Sequence, residues 1–200
     1  MLMLSRHDTG WDKIYHHYTP ERLPWELGEP RRGLVELVNS GLVMPGKTLD
    51  LCCGAGTNPI YLAMKGFDVT ALDISDKAVE YARKKAEKAD AEINLLIGNF
   101  LNLPFKSKMF DFIFDFGCFH HVEVKDRITF IEGISKVLKP KSTYFLTCFS
   151  YKNGPAWNHF RREQIFELFE DYFEIEWIKH FSSLEGDKVT RYFYEVFMKK

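Results

Sequence analysis

The sequence lacks a strong net charge and lacks long apolar runs. Its 27 basic and 28 acidic residues leave a net charge of −1, so no overall field draws the chain to nucleic acid or to an anionic membrane. No run approaches membrane-spanning length, and residues 1–6 lack the apolar core of a signal peptide. We therefore expect a cytoplasmic protein with neither nucleic-acid nor membrane partners.

Cysteine is scarce, and its spacing excludes two classes of site. Cys52 and Cys53 are adjacent, whereas Cys118 and Cys148 lie in apolar, strand-like runs. Neighbouring cysteines bridge poorly, and no Cys-x-x-Cys spacing typical of zinc sites occurs. The pattern predicts four reduced thiols in a cytosol and no metal centre.

Two nucleotide-binding motifs are also missing. The dinucleotide fingerprint Gly-x-Gly-x-x-Gly would need a third glycine after Gly54 and Gly56, but Pro59 stands at that position. No Gly-x-x-x-x-Gly-Lys-Ser/Thr stretch is present either. These absences argue against NAD binding and against a phosphate-gripping loop for ATP or GTP.

The residues that are present alternate between strand-like and helix-like patterns. A hydrophobic fraction of 46% over 200 residues suits one domain, residues 1–200, with a substantial core. The alternation predicts an α/β fold with a doubly wound, mostly parallel seven-stranded sheet and a C-terminal antiparallel strand pair. The predicted strands are 48–53, 67–73, 93–97, 110–116, 143–149, 173–181 and 191–198. Helices are predicted after Pro30, over 60–65, after Ser75, over 125–138 and over 161–171.

A glycine turn follows the first predicted strand. The apolar run 48–53 breaks into Gly54-Ala55-Gly56, whose glycines can adopt positive φ and leave room for a ligand. Thr57 or Asn58 can then cap the next helix. The amide donors at that helix start favour an anionic or polar ligand group. The stretch predicts a cofactor cradle.

Polar residues follow the other parallel strands at the same predicted edge of the sheet. Gly54, Asp73, Asn99 and Asp115 all fall at carboxyl ends of strands, where ligands bind in doubly wound folds. Asp73 can accept hydrogen bonds from two ribose hydroxyls, or it can be a solvated loop carboxylate beside the Ser75 cap. The shared edge is the strongest functional signal in the sequence.

Taken together, these stretches resemble the class I S-adenosylmethionine-dependent methyltransferases. The resemblance extends from about residue 30 to 150, in the order and spacing of that family. Residues 24–28 and 115–121 look more narrowly like the thiopurine and thiol methyltransferase-like branch, whose members methylate small soft nucleophiles. The stretches that match the superfamily are 49–57, 69–75, 98–105 and 110–115.

The resemblance implies S-adenosylmethionine as the cofactor and S-adenosylhomocysteine as the product. Asp50 and the glycine turn would hold the methionine end, and Asp73 would bind the ribose. The chain departs from the family at Cys52, which replaces the first glycine, and at Asn99, which replaces an acid. The predicted cofactor-binding residues are Trp25, Asp50, Cys52, Gly54, Ala55, Gly56, Asn58, Asp73, Ile74, Asn99, Phe100, Leu101, Asp115 and Phe116.

His120 and His121 are the predicted catalytic residues. They follow the fourth strand at the edge where an acceptor would lie, so one of them could act as a base or orient the acceptor. A histidine that caps the next helix or packs in the loop is the alternative. No third residue has a spacing that would complete a metal site with this pair.

Residues 1–30 form a predicted aromatic arm. Trp11, Tyr15 and Tyr18 recur at helical spacing. The arm either packs these rings on the core or closes as a lid over a binding site, where aromatic faces would attract a cation.

The predicted function is methyl transfer to a small-molecule acceptor, such as a thiol, by a monomer or homodimer. Carbon or oxygen methylation of a small quinone or phenol is an alternative, as is a non-catalytic module that binds S-adenosylmethionine. Methylation of nucleic acid is disfavoured, because residues 115–118 replace the Asp/Asn-Pro-Pro-aromatic motif of amino-methylating enzymes.

Overall fold

The computed structural model describes residues 9–155 and 158–200, which form one sheet with helices on both faces. Every predicted strand and helix is present in it. The helices are α1 (Thr9–His17), α2 (Arg32–Asn39), α3 (Thr57–Met64), α4 (Asp76–Lys88), α5 (Arg127–Val137) and α6 (Arg162–Phe169). The strands are β1 (Lys47–Leu51), β2 (Asp68–Asp73), β3 (Asn94–Ile97), β4 (Phe110–Phe116), β5 (Leu138–Phe149), β6 (Glu174–Leu184) and β7 (Thr190–Lys199).

The strand order is β3-β2-β1-β4-β5-β7-β6, which confirms the predicted doubly wound sheet. The first five strands in this order are parallel, and β7 runs antiparallel to both β5 and β6. Leu51 pairs with Leu72 on one side and with Asp115 on the other. The carboxyl ends of β1, β2 and β4 therefore lie at one edge.

The continuous apolar run of β4 is explained by helices on both faces of the sheet. Ile113 belongs to the core cluster beneath α5 and α6, whereas Phe112 and Phe114 pack with α2 and α3. Successive side chains of a strand point to opposite faces, so a strand covered on both sides is apolar throughout.

Two local predictions need correction at helix and strand boundaries. Gly56, at φ 85°, is the N-cap of α3, and neither Thr57 nor Asn58 takes that role. Strand β5 begins at Leu138, five residues before the predicted start, because Leu138 already pairs with Phe110. The Ser75 cap is confirmed, since its hydroxyl accepts the N–H of Ala78 at 3.0 Å.

The prediction of four reduced thiols is wrong. The structure joins Cys52 to Cys118 by a disulfide with a Cα–Cα distance of 5.7 Å, while Cys53 and Cys148 are free and buried. The sequence separation of 66 residues hid this pair. Because β1 and β4 are neighbouring parallel strands, the residues just beyond their ends face each other.

Residues 9–30 of the N-terminal arm are held against the sheet edge. α1 packs on α4, and Pro24 accepts the backbone N–H of Gly186 from the loop between β6 and β7 at 2.8 Å. The sequence predicts that residues 1–6 are not a signal peptide, but residues 1–8 lie outside the described residues. Within the described ranges, no helix is long and apolar enough to cross a membrane.

Candidate active site

A cavity opens at the carboxyl edge of the sheet, where the ends of β1, β2 and β4 meet the arm and the β6–β7 loop. Its walls are mostly apolar and aromatic, with carboxylates at the base. Eleven of the sixteen predicted site residues line it: Trp25, Asp50, Cys52, Gly54, Asn58, Asp73, Ile74, Phe100, Phe116, His120 and His121.

Five predicted residues lie outside the cavity walls, and two of them belong to the glycine turn. A Cβ on Gly56 would lie 2.8 Å from the Cβ of Ala82, so this glycine permits close packing between α3 and α4. Ala55 is fully buried, and its backbone N–H donates to Glu26 at 2.8 Å.

The other three lie beside or beneath the cavity. Asn99 accepts the N–H of Leu101 at 2.8 Å, and this bond shapes the loop after β3. Asp115 is fully buried; it accepts the N–H of Cys118 at 2.8 Å and the hydroxyl of Tyr144 at 2.9 Å. Burial raises the pKa of Asp115 to about 7. These residues support the wall instead of forming it.

Asp73 ties the glycine turn to the start of α4. One carboxylate oxygen accepts the N–H of Gly54 and the other accepts that of Ser75, both at 2.9 Å. Asp73 is only 6% exposed, so the alternative of a solvated loop carboxylate is wrong. Burial raises the pKa of Asp73 to about 6, and the two N–H donors oppose that rise.

Asp50 brings a second carboxylate to the base of the cavity. Its Oδ2 is buried and has no hydrogen-bond partner among the described residues. Burial, together with the nearby Asp115 and Asp73, raises the pKa of Asp50 well above its usual value. A buried polar atom without a partner costs about 1–3 kcal/mol, so a ligand that donates here or carries a positive charge is favoured.

Glu26 supplies a third carboxylate, which sequence reasoning missed. It accepts the N–H of Ala55 at 2.8 Å and the hydroxyl of Thr57 at 3.2 Å. Burial raises the pKa of Glu26. Since Gly54 donates to Asp73 and Gly56 donates to Cys53, the amides of the turn are all paired internally. The expected anion cradle is therefore an acidic cavity that suits a cation.

Aromatic rings from the arm form one wall. Trp11 contacts Trp25 edge to face at 5.5 Å between ring centroids, and the Trp25 N–H donates to the Tyr15 hydroxyl at 2.9 Å. The spacing of Trp11 and Tyr15 gave a signal for this wall, although neither was a predicted cofactor ligand. Ring faces beside carboxylates strengthen the attraction for a cation.

A buried ion pair also lines the cavity. The guanidinium of Arg31 donates to both carboxylate oxygens of Glu185 at 3.0 Å and lies 3.7 Å from the ring centre of Phe116. The same side chain donates to the backbone oxygen of Trp25 at 2.7 Å. Arg31 and Glu185 are 154 residues apart, and nothing local in the sequence indicated their pairing.

The two predicted catalytic histidines differ in what they can do. His120 is buried, stacks on Phe149 at 3.9 Å, and accepts the Phe149 N–H at its Nδ1. In the neutral ring the proton is then on Nε2, so His120 presents a donor. His121 lies partly in solvent against Trp11 at 4.8 Å, and its ring nitrogens make no hydrogen bond to the described residues.

Desolvation favours the neutral form of both histidines. It lowers the pKa of His120 well below its usual value and lowers the pKa of His121 to about 4. The helix-capping alternative is wrong, because the residue at the N-cap of α5 is Asp126. Counting contacts with the described residues, His121 alone of the pair keeps a ring nitrogen that can accept a proton from a ligand.

One group of possible metal ligands exists among the described residues. Ligand atoms of Asp12, His16 and Asp76 lie within 4.8 Å of one another. Asp12 already accepts the Ser75 hydroxyl at 2.7 Å and the Lys77 N–H at 3.1 Å. The group holds α1 on the start of α4 and lies outside the cavity walls.

Comparison with known proteins identifies the family. The sequence pattern of a family described as "Methyltransferase domain" matches residues 48–141. The chain is 32% identical over 143 residues to "Probable thiol methyltransferase 2" of Arabidopsis thaliana, a match that covers 70% of this chain and 61% of that protein. Residues 48–141 therefore carry the domain of the class I S-adenosylmethionine-dependent methyltransferases.

Two further similarities bear on acceptor and fold. A "2-heptyl-1-hydroxyquinolin-4(1H)-one methyltransferase" of Mycobacteroides abscessus is 26% identical, over 70% of this chain and 63% of that protein. The chain thus spans less than two thirds of both curated relatives. A structure from work on the conversion of a disulfide bond into a thioacetal group during echinomycin biosynthesis has a TM-score of 0.86 at 21% identity, over 97% of this chain and 93% of that one.

The cavity fits the cofactor of this methyltransferase family. S-adenosylmethionine carries a sulfonium, an ammonium and two ribose hydroxyls, all of which prefer carboxylates or aromatic faces as neighbours. The buried Oδ2 of Asp50 lacks a partner, and Asp73 lies at the end of β2 on the cavity wall. The acidic, aromatic character of the site therefore matches the positively charged part of the cofactor.

Proposed function

We propose that this protein transfers the methyl group of S-adenosylmethionine to a small-molecule acceptor, and that the acceptor atom is a soft nucleophile such as a thiol sulfur. The observation that carries the proposal is the convergence of Asp50, Asp73 and Glu26 beneath aromatic rings at one sheet edge. The similarity to a probable thiol methyltransferase supports sulfur as the acceptor atom.

When bound, the cofactor supplies a methyl group activated by the sulfonium charge. The chain has three tasks around it. Asp50 and Asp73 would hold the ammonium and the ribose, while Trp11 and Trp25 would cover the positive region and exclude water. His120 would donate its Nε2–H to the acceptor and orient it.

His121 is the proposed proton acceptor. A thiol with pKa near 8.5 is only about 3% thiolate at pH 7, so removal of its proton assists methylation. We expect His121→Asn to lower turnover about tenfold or more at pH 7, and we expect the loss to shrink above the pKa of the thiol. An equal loss at every pH would assign His121 to positioning alone. His17→Asn is the control, because the His17 ring is exposed on α1.

We also propose that residues 1–30 act as a lid. The cavity volume is about 210 Å³, below the roughly 300–1,000 Å³ typical of small-molecule sites. A Cβ on Gly54 would lie 2.7 Å from a carboxylate oxygen of Glu26 and 2.8 Å from the Tyr15 hydroxyl. Side chains of the arm thus occupy the space above the glycine turn, and entry of the cofactor requires the arm to shift.

The acceptor can be tested with a matched series. Thiophenol, phenol and aniline differ only in the nucleophilic atom, so each is incubated with labelled S-adenosylmethionine and its methylated product is measured. We expect thiophenol to be methylated fastest. Preference for phenol would favour oxygen methylation, for which the similarity to a hydroxyquinolone methyltransferase is the support. Cofactor binding without product from any acceptor in a broad panel would contradict the enzymatic proposal.

A further inference from the structure

Cys52 occupies a backbone position that disfavours a side chain. It directly follows β1 at φ 54°, in the left-handed region, where a residue with a Cβ costs about 1–2 kcal/mol relative to glycine. The sequence nevertheless places a cysteine here, and its sulfur meets that of Cys118. A reactive pair gives this residue a role that glycine could not fill.

The backbone geometry suits a disulfide. The Cα–Cα distance of 5.7 Å lies within the range of about 4.4–6.8 Å found for disulfides. The N–H of Cys118 donates to Asp115 at 2.8 Å, which fixes the start of the turn after β4. Cys53 and Cys148 are buried and free, so the pairing is selective among the four cysteines.

The bond connects two walls of the cavity. Cys52 lines the cavity two residues before Gly54, whereas Cys118 begins the turn that carries His120 and His121. Cys118 is 1% exposed, so a small molecule in the cavity reaches only the sulfur of Cys52. The disulfide therefore fixes the cofactor side of the site relative to the histidine side.

We propose that Cys52 and Cys118 form a redox site that exchanges with small thiols and disulfides and is linked to cofactor binding. A thiolate attacks the sulfur of Cys52, forms a mixed disulfide with it, and releases the thiolate of Cys118. A second thiolate then attacks the mixed disulfide, yields the oxidised small molecule, and releases the thiolate of Cys52. A small disulfide drives the same steps in reverse.

The oxidised form binds the cofactor more tightly. The disulfide holds the Cys52 side chain against Cys118, at the base of the cavity. Reduction frees this thiol to turn toward the glycine turn and releases the histidine wall. By linkage, a ligand that prefers the oxidised form favours the disulfide by the same factor, and such couplings are typically about fivefold or more. This redox exchange is a separate reaction from methyl transfer, and it does not require a methyl acceptor.

The test equilibrates the full chain in buffers of reduced and oxidised glutathione, with and without S-adenosylhomocysteine. The chain is then unfolded in excess iodoacetamide, which labels every free thiol whether or not it was buried, and peptide mass spectrometry locates the labels. We expect Cys52 and Cys118 to be protected together in oxidising buffer and labelled together in reducing buffer. S-adenosylhomocysteine should move the midpoint at least fivefold toward the disulfide, and calorimetry should show the same ratio between the dissociation constants of the two forms.

Matched variants isolate the pair. Cys52→Gly supplies the residue that the backbone favours, so we expect it to fold and to bind S-adenosylhomocysteine independently of the redox buffer. Cys148→Ala should keep the wild-type redox transition. Labelling of Cys52 and Cys118 in oxidising buffer, or affinities that differ by less than fivefold, would overturn the proposal. If S-adenosylhomocysteine does not bind at all, the proposed function fails, while the labelling still tests the disulfide.

Discussion

At the scale of single residues, the site is a group of carboxylates that share a low-dielectric pocket. Burial raises the pKa of Asp50, Asp73 and Glu26; neighbouring carboxylates add to the rise at Asp50, whereas hydrogen-bond donors oppose it at Asp73 and Glu26. A cationic ligand opposes the effect of burial, since it stabilises the ionised carboxylates. Binding should therefore be coupled to proton release.

Asp73 allows this coupling to be measured. Because the pKa of Asp73 is about 6 and a cationic ligand prefers the carboxylate, we expect the affinity for S-adenosylmethionine to rise between pH 5 and 7. Asp73→Asn should weaken binding roughly 10- to 150-fold at pH 7.5, as expected for a lost charged hydrogen bond of about 1.5–3 kcal/mol, and should reduce the pH slope. Isothermal titration calorimetry at several pH values measures both.

Asp68→Asn is the matched control for this prediction. Asp68 is an exposed aspartate at the other end of the same strand, β2. We expect the control to bind as the wild type does at every pH. If Asp73→Asn binds S-adenosylmethionine with unchanged affinity, Asp73 does not contact the ribose and that part of the proposed site is wrong.

At the scale of elements, the two glycines of the turn after β1 have different structural roles. Gly54 lies on the cavity wall, but Gly56 lies between α3 and α4, where a Cβ would come within 2.9 Å of the Cα of Ala82. Its φ of 85° adds conformational strain to any substitution. Gly56 thus acts through packing, and a binding defect in its variants would follow from that.

Gly56→Ala should destabilise the fold. We expect a loss of about 2–4 kcal/mol in the free energy of unfolding, from the left-handed backbone and from overpacking against α4. Gly66→Ala is the control: its φ is also 85°, but nothing lies within 4 Å of the added Cβ, so only the backbone cost of about 1 kcal/mol applies. Urea unfolding measures the free energy of unfolding of both variants. Equal losses of stability would rule out the packing role of Gly56.

The arm and the β6–β7 loop are coupled through the buried pair of Arg31 and Glu185. We expect bound S-adenosylhomocysteine to slow proteolysis within residues 9–30. We expect Glu185→Ala to speed it, because the guanidinium loses a buried partner worth about 3–5 kcal/mol. Glu36→Ala removes the partner of Arg32 in an exposed pair on α2 and should leave cleavage unchanged. Identical cleavage with and without ligand would contradict the lid.

At the scale of the whole molecule, the buried acids set how stability depends on pH. The pKa of Asp115 is raised by burial from 3.8 to about 7, so between these values the folded state holds a proton that the unfolded chain releases. Stability from this group is complete below about pH 4 and is lost as pH rises through 7. We expect the free energy of unfolding to fall across this window.

Asp115→Asn should flatten that part of the pH dependence. The amide oxygen can still accept the N–H of Cys118, and the amide group can donate to the Tyr144 hydroxyl, so both partners stay paired. Asp111→Asn is the control, since Asp111 is partly exposed and its pKa is lowered. Chemical unfolding from pH 4 to 8 tests the prediction, and an unchanged slope would contradict it.

The sequence by itself determined the order of helices and strands, the Ser75 cap, and the edge where Gly54 and Asp73 lie. These features depend on periodicity, local capping and strand polarity, which neighbouring residues encode. Most of the predicted site residues line the cavity for the same reason, because each follows a parallel strand. The aromatic spacing of the arm indicated Trp11 and Tyr15 in advance.

Only the tertiary structure decided which groups meet across long separations. It paired Cys52 with Cys118, placed Glu26 on the glycine turn, and joined Arg31 to Glu185. It also turned an expected cradle for an anion into an acidic cavity. Local patterns fix where the backbone turns, but partners for amides, thiols and charges are chosen by packing in three dimensions, where residues far apart in the chain compete for the same contact.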